Sequence, residues 1–469
     1  MSSSTPVANS RVQWIFFALG ASVLLSWNSL ITATPYFLSR LDGTGYKSTF
    51  SSYLSATYTA SNFGFLALAT ASFKPSSASR TIRKSMLLIV IMLFLLAASP
   101  MLPLEGSFFF FFIIFNSMIQ ASAGSYLQTA VAGLGALFGP QILQYAFTGQ
   151  AAVGVIVSVV QYISLAVSLR GDNFQGGTSG TQNETSKTSL SSSAFIFFGI
   201  ATGYMVLSLA AHALLIRMPA YLAIIKPFEQ PREVLGEEEP SDNFLEQSEN
   251  QPFLSGIIDV QFPGKGNIWE VANTNIVYNI AVAYVFVVTL SVFPPITSSI
   301  LSVHRDSTSG ILAPALFISF HFLTFNVGDW LGRYLCAFPR LRMWSPRRLA
   351  VCSLLRTLFI PLFLSCNVSP GTQSPPPSLT AVITEAAPII NSDLIFFAIL
   401  LAFGVSGGYL SSMCIIAASS LENNSKIQKE QVDTAATVAQ FFLIGGIFVG
   451  SIMSFGVRAT ICNCNPFYG

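Results

Sequence analysis

The sequence predicts an all-α polytopic membrane protein, and three observations carry that prediction. Only 9% of the 469 residues are charged, whereas soluble globular domains carry about 25%. Hydrophobic residues make up 52% of the chain, and they gather in blocks of about 20, the length of a helix that crosses a bilayer. Most charged residues lie between these blocks, so the chain lacks the polar surface that a soluble fold needs.

Eleven apolar blocks follow one another, and each predicts one transmembrane helix. Because the first block is too long for a signal peptide and follows a polar N-terminus, we expect it to be retained. An odd number of spans places the two termini on opposite sides of the membrane. The blocks cover residues 13–38, 53–73, 85–104, 107–135, 143–169, 193–216, 271–293, 311–338, 349–366, 393–419 and 433–457.

The distribution of lysine and arginine predicts the orientation. The segments on the N-terminal side hold fifteen of these residues and those on the other side hold six. Since basic residues favour the cytoplasmic side, residues 1–12 are expected in the cytoplasm and residues 458–469 form a short extracytoplasmic tail. The N-x-S/T sequences at Asn183 and Asn367 then fall in outer loops and are candidate glycosylation sites. A third, at Asn423, falls inside and should stay unmodified.

A long acidic segment divides the spans into two groups. Residues 217–270 are rich in Pro, Ser and Gln and contain EEEPSDNFLEQSENQP, a composition typical of a disordered cytoplasmic linker. The segment separates six spans at 13–216 (TM1–TM6) from five at 271–457 (TM7–TM11). This 6+5 division predicts an N-terminal and a C-terminal helix bundle, as in a two-bundle carrier.

The eighth span contains FNVGDWLGR, which places a carboxylate and a guanidinium inside an apolar segment. Phe322, Asn326, Asp329 and Arg333 are spaced by four, three and four residues, so they share one helix face. Each charge at mid-membrane costs about 2.5–3.5 kcal/mol on insertion scales, so both must face protein or water. The pair could merely lock two helices together, but a functional site is the favoured interpretation.

Other spans also carry polar or aromatic residues, and each of these could serve either helix packing or function. Gly328 and Gly332 form a G-x-x-x-G pair that predicts close helix packing. In the fourth span Gln120 and Gln128 share a face, and an interhelical hydrogen bond is the favoured explanation for Gln120. Further candidates are Leu24, Trp27, Asn28 and Ile31 in the first span and Phe293 before the prolines that end the seventh.

Several classes of function are excluded by what the sequence lacks. It contains no G-x-x-x-x-G-K-[ST], H-E-x-x-H or G-x-S-x-G motif and only three scattered histidines, so an enzyme, an ATP-driven pump and a metal site are not expected. The six cysteines suggest no framework, and a metal site or disulfide at Cys462 and Cys464 is a minority interpretation. Aromatic, amide, carboxylate and guanidinium groups together suit a neutral, planar, hydroxylated ligand such as a nucleoside.

These residues resemble a known family. FNVGDWLGR resembles the F-N-x-x-D-x-x-G-R hallmark of the equilibrative nucleoside transporters, and SWNSLITATPYF is similar to their P-W-N motif, with Ser26 at the usual proline. SGGYLSSMCI resembles their tenth span, with Gly407 replacing a common asparagine. Further similar segments, in the same order, are GSYLQTAVAGLGALFG, SLLRTLFIPLFLSCNV and DTAATVAQFFLIGGIFVGSIMSF.

The resemblance implies a major-facilitator-like architecture with the substrate between the two bundles. Gln128 would contact the nucleobase, and Asp329 and Arg333 the ribose. Leu24 matches an apolar pocket position, and Trp27 matches a tryptophan needed for transport. From the second span only Ser61 and Asn62 are candidates. The residues that match or adjoin an outer gate are Ile31, Phe293, Pro294, Phe322 and Asn326.

The expected function is facilitative transport of purine and pyrimidine nucleosides, with nucleobases left open, by alternating access. Proton-coupled transport and a nucleoside-binding receptor without transport are the alternatives. The expected partners are the substrate and the lipid bilayer. No cofactor and no nucleic acid partner are expected, and the oligomeric state stays open. ENQPFL in the long loop loosely resembles an acidic dileucine signal for a vacuole or lysosome, but the plasma membrane is slightly favoured.

Overall fold

The described part of the protein is entirely helical. We analysed a computed structural model that describes residues 10–47, 49–102, 106–172, 182–229, 268–294, 296–303, 314–367 and 389–462. No β-strand occurs in these ranges. Eight of the described helical segments are long and apolar enough to cross a membrane. The predicted all-α membrane fold is therefore confirmed.

Eight α-helices are described in the N-terminal half. Gly139, with φ +106°, ends one long helix, and Pro140 begins the next at the position where proline suits a helix start. The helices are α1 (Ser10–Thr32), α2 (Thr34–Arg40), α3 (Phe50–Ser72), α4 (Ala78–Ala98), α5 (Gly106–Phe138), α6 (Pro140–Asp172), α7 (Gln182–Ile216) and α8 (Pro219–Glu229).

Seven α-helices are described in the C-terminal half. Phe293 and Pro294 follow the end of the second of these, as the prolines predict. The helices are α9 (Ile268–Thr274), α10 (Ile276–Val292), α11 (Pro314–Leu335), α12 (Pro346–Leu355), α13 (Phe359–Leu364), α14 (Asp393–Ala418) and α15 (Val432–Cys462).

Helices lie at all eleven predicted spans, but three spans are not among the eight strongly apolar segments. The second, α3, begins with many serines and threonines. The eighth, α11, carries the charged pair. The ninth is divided into α12 and α13 by a 3₁₀ turn at Arg356–Leu358. A count of eleven spans therefore stays a prediction.

Glycines bring the first and fifth spans of each half into close contact. In the N-terminal half, a Cβ on Gly20 would overlap the carbonyl of Ala146, and one on Gly149 would overlap that of Phe17, so α1 and α6 touch backbone to backbone. In the C-terminal half, a Cβ on Gly446 of α15 would overlap Ala283 of α10. The same packing device recurs in both halves.

Several helix pairs connect the bundles. Helix α6 packs on α11 and α14, and helix α15 packs on α3 and α5. Between α3 and α15, the ring of Phe63 stacks on Phe441 and Phe448, with centroids 5.3 Å and 5.0 Å apart. Stacked aromatic pairs of this kind contribute beyond their buried area.

The apolar cores of the two bundles merge at only one end of the described structure. A shared cluster joins Leu143 and Phe147 of α6 to Met413 and Ile416 of α14. These residues lie near the start of α6 and the end of α14, on the membrane side where α1 begins. The aromatic cluster around Phe293 at the other end contains C-terminal residues alone.

The predicted disordered segment 217–270 begins with ordered structure. Helix α8 forms because Tyr221 and Ile225, one turn apart, pack into the core of the N-terminal bundle. Residues 230–267 lie outside the described residues. Helix α7 begins at Gln182, earlier than the predicted span start at 193.

Candidate functional site

The charged pair of α11 forms one ion pair and leaves other polar atoms free. The Nε–H of Arg333 donates to Oδ2 of Asp329 at 2.9 Å, and the side chains are 8% and 17% exposed. The second carboxylate oxygen and the terminal guanidinium nitrogens form no hydrogen bond with the described chain and are not fully buried. This pair can therefore still accept and donate hydrogen bonds to a ligand.

Glycines on two helices position this pair. A Cβ on Gly328 would lie 2.7 Å from the carbonyl oxygen of Leu401, and one on Gly404 would lie 2.6 Å from that of Phe325. A Cβ on Gly332 would overlap a carbonyl of α14 in the same way. The predicted close packing at the G-x-x-x-G pair is confirmed, and it fixes α11 against α14.

Arg356 is a third charged residue in the helix interior, and the sequence analysis missed it. Its side chain is 1% exposed. Nη1 donates to the carbonyl of Phe403 at 2.8 Å and to Ser406 Oγ, while Nη2 donates to Thr289 Oγ1 at 2.9 Å. Its Nε has no partner among the described residues, and its Cζ lies 4.4 Å from the centroid of the Phe403 ring.

A simple signal in the sequence marks Arg356. All other lysines and arginines except Arg333 fall outside the predicted spans, in the segments whose basic residues predict the orientation. An arginine inside SLLRTLFIPLFL is therefore an exception of the same kind as the pair in α11.

An aromatic contact joins α1 to α3 in the N-terminal bundle. The ring of Trp27 lies 4.4 Å from that of Tyr58, and the Tyr58 hydroxyl lies 3.4 Å from Ser26 Oγ. Leu24 is half-buried one turn earlier, and its carbonyl accepts a hydrogen bond from Asn28 at 2.9 Å. Tyr58, only 8% exposed, is the residue of the second span that meets Trp27.

The two second-span candidates make different contacts. Asn62 contributes its backbone carbonyl to Ser125 Oγ at 2.9 Å. Ser61 is half-buried. Neither is joined to Trp27 by a ring contact or hydrogen bond among the described residues. Tyr58 lies one turn before Asn62 on α3, but this spacing alone does not indicate that its ring meets Trp27.

The two glutamines of α5 differ in their partners. Gln120 donates to Asn116 Oδ1 at 2.6 Å, and Asn116 donates to the carbonyl of Met92 on α4 at 3.1 Å. Among the described residues, Gln120 therefore bonds within α5, and the interhelical hydrogen bond expected of it is made instead by its partner Asn116. Gln128 is 5% exposed overall, and its amide forms no hydrogen bond with the described chain, although its polar atoms are not fully buried. An amide in this state is available to a ligand.

The predicted gate residues form a partly connected group. The ring of Phe293 lies 5.0 Å from that of Phe322. Asn326 Nδ2 donates to Ser158 Oγ on α6 at 2.7 Å, which links the two bundles. Ile31, in the last turn of α1, is 40% exposed, and Pro294 is also exposed. The structure therefore joins Phe293 to Phe322 directly.

The candidate binding residues form two sets, one in each bundle. Trp27 and Gln128 belong to α1 and α5, whereas Asp329 and Arg333 belong to α11. Among the described residues, no hydrogen bond or ring contact joins the first set to the second. Such a division suits a ligand that bridges the bundles.

The two glycosylation candidates lie in different surroundings. Asn183 falls in the first turn of α7. Asn367 follows α13, and its Nδ2 donates to the carbonyls of Leu301 and Ser302 at 3.1 Å and 3.3 Å. Cys462 ends α15, and Cys464 lies outside the described residues. No metal-binding group of His, Cys, Asp and Glu occurs in the part of the chain that the structure describes.

Solved structures with a similar arrangement are major facilitator superfamily transporters. The outward conformation of FucP aligns with a TM-score of 0.54 at 14% identity, over 99% of this chain and 94% of that one. A variant of the E. coli fucose:proton symporter aligns with a TM-score of 0.51 at 15% identity, over 96% and 93%. At this identity the likeness shows the fold alone, and it confirms the major-facilitator-like architecture.

Sequence comparisons point to one family. The model of the family described as nucleoside transporters matches residues 113–459. Equilibrative nucleoside transporter 1 of Rattus norvegicus is 27% identical, over 98% of this chain and 99% of the relative. Equilibrative nucleoside transporter 2 of Homo sapiens is also 27% identical, over 95% and 96%.

Fold and site together define a multi-pass membrane transporter rather than an enzyme. The chain belongs to the nucleoside transporter family. The resemblance first suggested by FNVGDWLGR is thereby confirmed.

Proposed function

We propose that this protein transports purine and pyrimidine nucleosides down their concentration gradient, and that nucleobases are a further substrate class. The main support is the Asp329–Arg333 pair, which leaves accessible polar atoms inside a membrane helix. A pair that only locked helices together would be expected to use its hydrogen-bonding groups on protein partners. The names of the relatives agree with this substrate class.

In this proposal the sugar and the base are read by different bundles. Asp329 accepts hydrogen bonds from the 2′ and 3′ hydroxyls, and Arg333 holds the carboxylate in place and donates to sugar oxygens. Gln128 donates to and accepts from the edge of the base. Leu24 and Trp27 form an apolar wall for the base, and Tyr58 supports the tryptophan ring.

Transport would proceed by alternating access of the two bundles. The apolar cluster that joins α6 to α14 closes the side where α1 begins. On the other side, Phe293, Phe322 and the Asn326–Ser158 hydrogen bond would form a thin gate beside Ile31 and Pro294. On this side the bundles meet through the Asn326–Ser158 hydrogen bond and the ring contact of Tyr162 with Phe320. Separation of these contacts should cost less than separation of the apolar cluster, so the gate side is the one expected to open from this state.

Proton coupling is the second candidate, and the surroundings of the titratable groups speak against it. Asp329 is already engaged in an ion pair with Arg333 at 2.9 Å. The ring of His321 lies among the rings of Phe317, Phe396 and Phe397. A proton relay would need polar groups in sequence along the path, and the described helices do not connect His321 to Asp329 in that way.

For topology, we propose a cytoplasmic N-terminus, an extracytoplasmic C-terminus and a location in the plasma membrane rather than a vacuolar or lysosomal one. The support is the excess of lysine and arginine on the side where α1 begins. Domain limits at 13–216 and 271–457 belong to the same proposal.

Counterflow in reconstituted vesicles tests the proposed function. Vesicles preloaded with unlabelled uridine should accumulate labelled uridine transiently without any ion gradient, because a carrier exchanges one nucleoside for another. A receptor would bind label without time-dependent accumulation, and an enzyme would convert it. Vesicles loaded with glucose instead of uridine provide the control for leakage.

A further inference from the structure

A cavity between α4 and α7 lies away from the candidate nucleoside site. It has a volume of about 310 Å³, and its walls combine basic and apolar side chains. Arg83 comes from the beginning of α4, and Arg217 directly follows the end of α7. The other principal lining residues are His212, Leu87, Leu209 and Ile216.

The described lining of the cavity carries positive charge. It includes two arginines, and no carboxylate of the described residues belongs to it. The guanidinium groups of Arg83 and Arg217 form no hydrogen bond or ion pair with the described chain. His212, only 1% exposed, is already engaged, with Nε2 3.3 Å from Ser79 Oγ. Both arginines are exposed and so are accessible to an anionic ligand, and arginine matches the geometry of phosphate.

An apolar path leads from the cavity along the outside of the bundle. Arg83, Leu87 and Ile91 share one face of α4, at successive turns, and Leu87 and Ile91 are 44% and 52% exposed. Phe94 continues this exposed apolar surface further along the helix. A ligand that fits both parts has an anionic head and an apolar tail.

Helix α8 lies beside the basic end of this path. Its Tyr221 and Ile225 are buried in the bundle, whereas Leu222 is exposed. It packs against the turn Pro75–Ser77, which precedes α4. A short helix with one buried and one exposed apolar face is typical of the membrane interface, which places the cavity at headgroup depth.

We propose that this cavity binds the phosphate group of an anionic glycerophospholipid from the membrane leaflet on the side where α1 begins. The phosphate lies between Arg83 and Arg217, and the acyl chains follow Leu87 and Ile91. Basic residues on this side are expected from membrane orientation alone. What distinguishes this site is that two of them line one cavity that opens onto an apolar surface.

The test uses the full-length protein purified in detergent, with bound lipids measured by native mass spectrometry. Phosphatidylserine should bind in preference to phosphatidylcholine. Since a basic residue near a membrane surface contributes about fivefold in affinity for anionic lipid, Arg83→Gln with Arg217→Gln should weaken phosphatidylserine binding roughly 25-fold. The matched control is Arg347→Gln with Arg348→Gln, which removes the same charge from exposed residues of α12 on the same membrane side.

A second variant, Ala213→Phe, keeps both arginines and places an aromatic ring in the cavity, which Ala213 lines. Because the ring fills the cavity, this variant should also abolish the preference for phosphatidylserine. Nucleoside counterflow in pure phosphatidylcholine vesicles reports whether each variant is folded. Equal losses in the α12 control would show that the attraction is diffuse. Equal binding of phosphatidylcholine, or full displacement of the lipid by inorganic phosphate, would also overturn the proposal.

Discussion

Gly407 of α14 lies against the guanidinium of Arg356, so that a Cβ at position 407 would come within 3.2 Å of Nη2. The contact matters because Arg356 is buried and bonded to three acceptors, on α14 and on Thr289 of α10. A larger side chain at position 407 would have to displace the guanidinium or bond to it. The glycine of this chain leaves the arginine where these acceptors hold it.

The first prediction concerns the space at Gly407. Gly407→Val should lower the melting temperature in detergent, because overpacking a buried site costs about 1–3 kcal/mol. Gly199→Val on α7 is the control, since nothing lies within 4 Å of a Cβ there. Equal melting temperatures for the two variants would mean that Arg356 can move away without cost.

The second prediction concerns the hydrogen bonds of Arg356. Arg356→Lys should be destabilised nearly as strongly as Arg356→Gln, because one ammonium group cannot reach the separate acceptors that the planar guanidinium bridges. A bond to a charged group contributes roughly 1.5–3 kcal/mol, so the loss of two of them should show as poor surface expression and early thermal unfolding. Normal expression of the lysine variant would indicate that charge alone suffices.

The third prediction separates the two glutamines of α5. Gln128→Ala should change the ratio of adenosine to uridine uptake by about fivefold, because one lost hydrogen bond to the base contributes about 1 kcal/mol. Gln120→Ala should instead reduce the amount of folded protein and leave that ratio unchanged, since its partner is Asn116. If both variants lowered adenosine and uridine uptake in proportion to surface protein, Gln128 would be structural as well.

The fourth prediction concerns energy coupling. A protonophore should change neither the initial rate nor the final level of uridine uptake at any external pH between about 5.5 and 7.5. The reason is that Asp329 is paired with Arg333 and is joined to no histidine in the described helices. Accumulation above the external concentration that the protonophore abolishes would establish the proton-coupled alternative.

Helix class, glycine packing and the charged pair were predictable because each depends on local sequence. Gly328 and Gly332 stand one turn apart, and the helix period alone places Asp329 beside Arg333. The ion pair and the close contact with α14 follow from that spacing.

Contacts between distant spans were not predictable in the same way. Nothing local indicates that Tyr58 meets Trp27, or that Ser158 accepts from Asn326, because each contact depends on how whole helices are arranged. The order in α8 was missed for a related reason: its composition is mixed, and burial of Tyr221 and Ile225 against the bundle stabilises it. Propensity is a weak guide where tertiary packing decides.

The most direct test of the central claim is whether the Asp329 carboxylate reads the ribose hydroxyls. In counterflow assays, the wild-type protein should discriminate against 2′,3′-dideoxyuridine relative to uridine by more than tenfold, because the dideoxy compound leaves a desolvated carboxylate without its partners. Asp329→Asn combined with Arg333→Gln removes both charges, which avoids the cost of about 3–5 kcal/mol of leaving one buried charge unpaired. That double variant should reach the membrane without transporting uridine, and any residual uptake by Asp329→Asn alone should discriminate less. Equal transport of uridine and dideoxyuridine by the wild-type protein would contradict the assignment of Asp329 to the sugar.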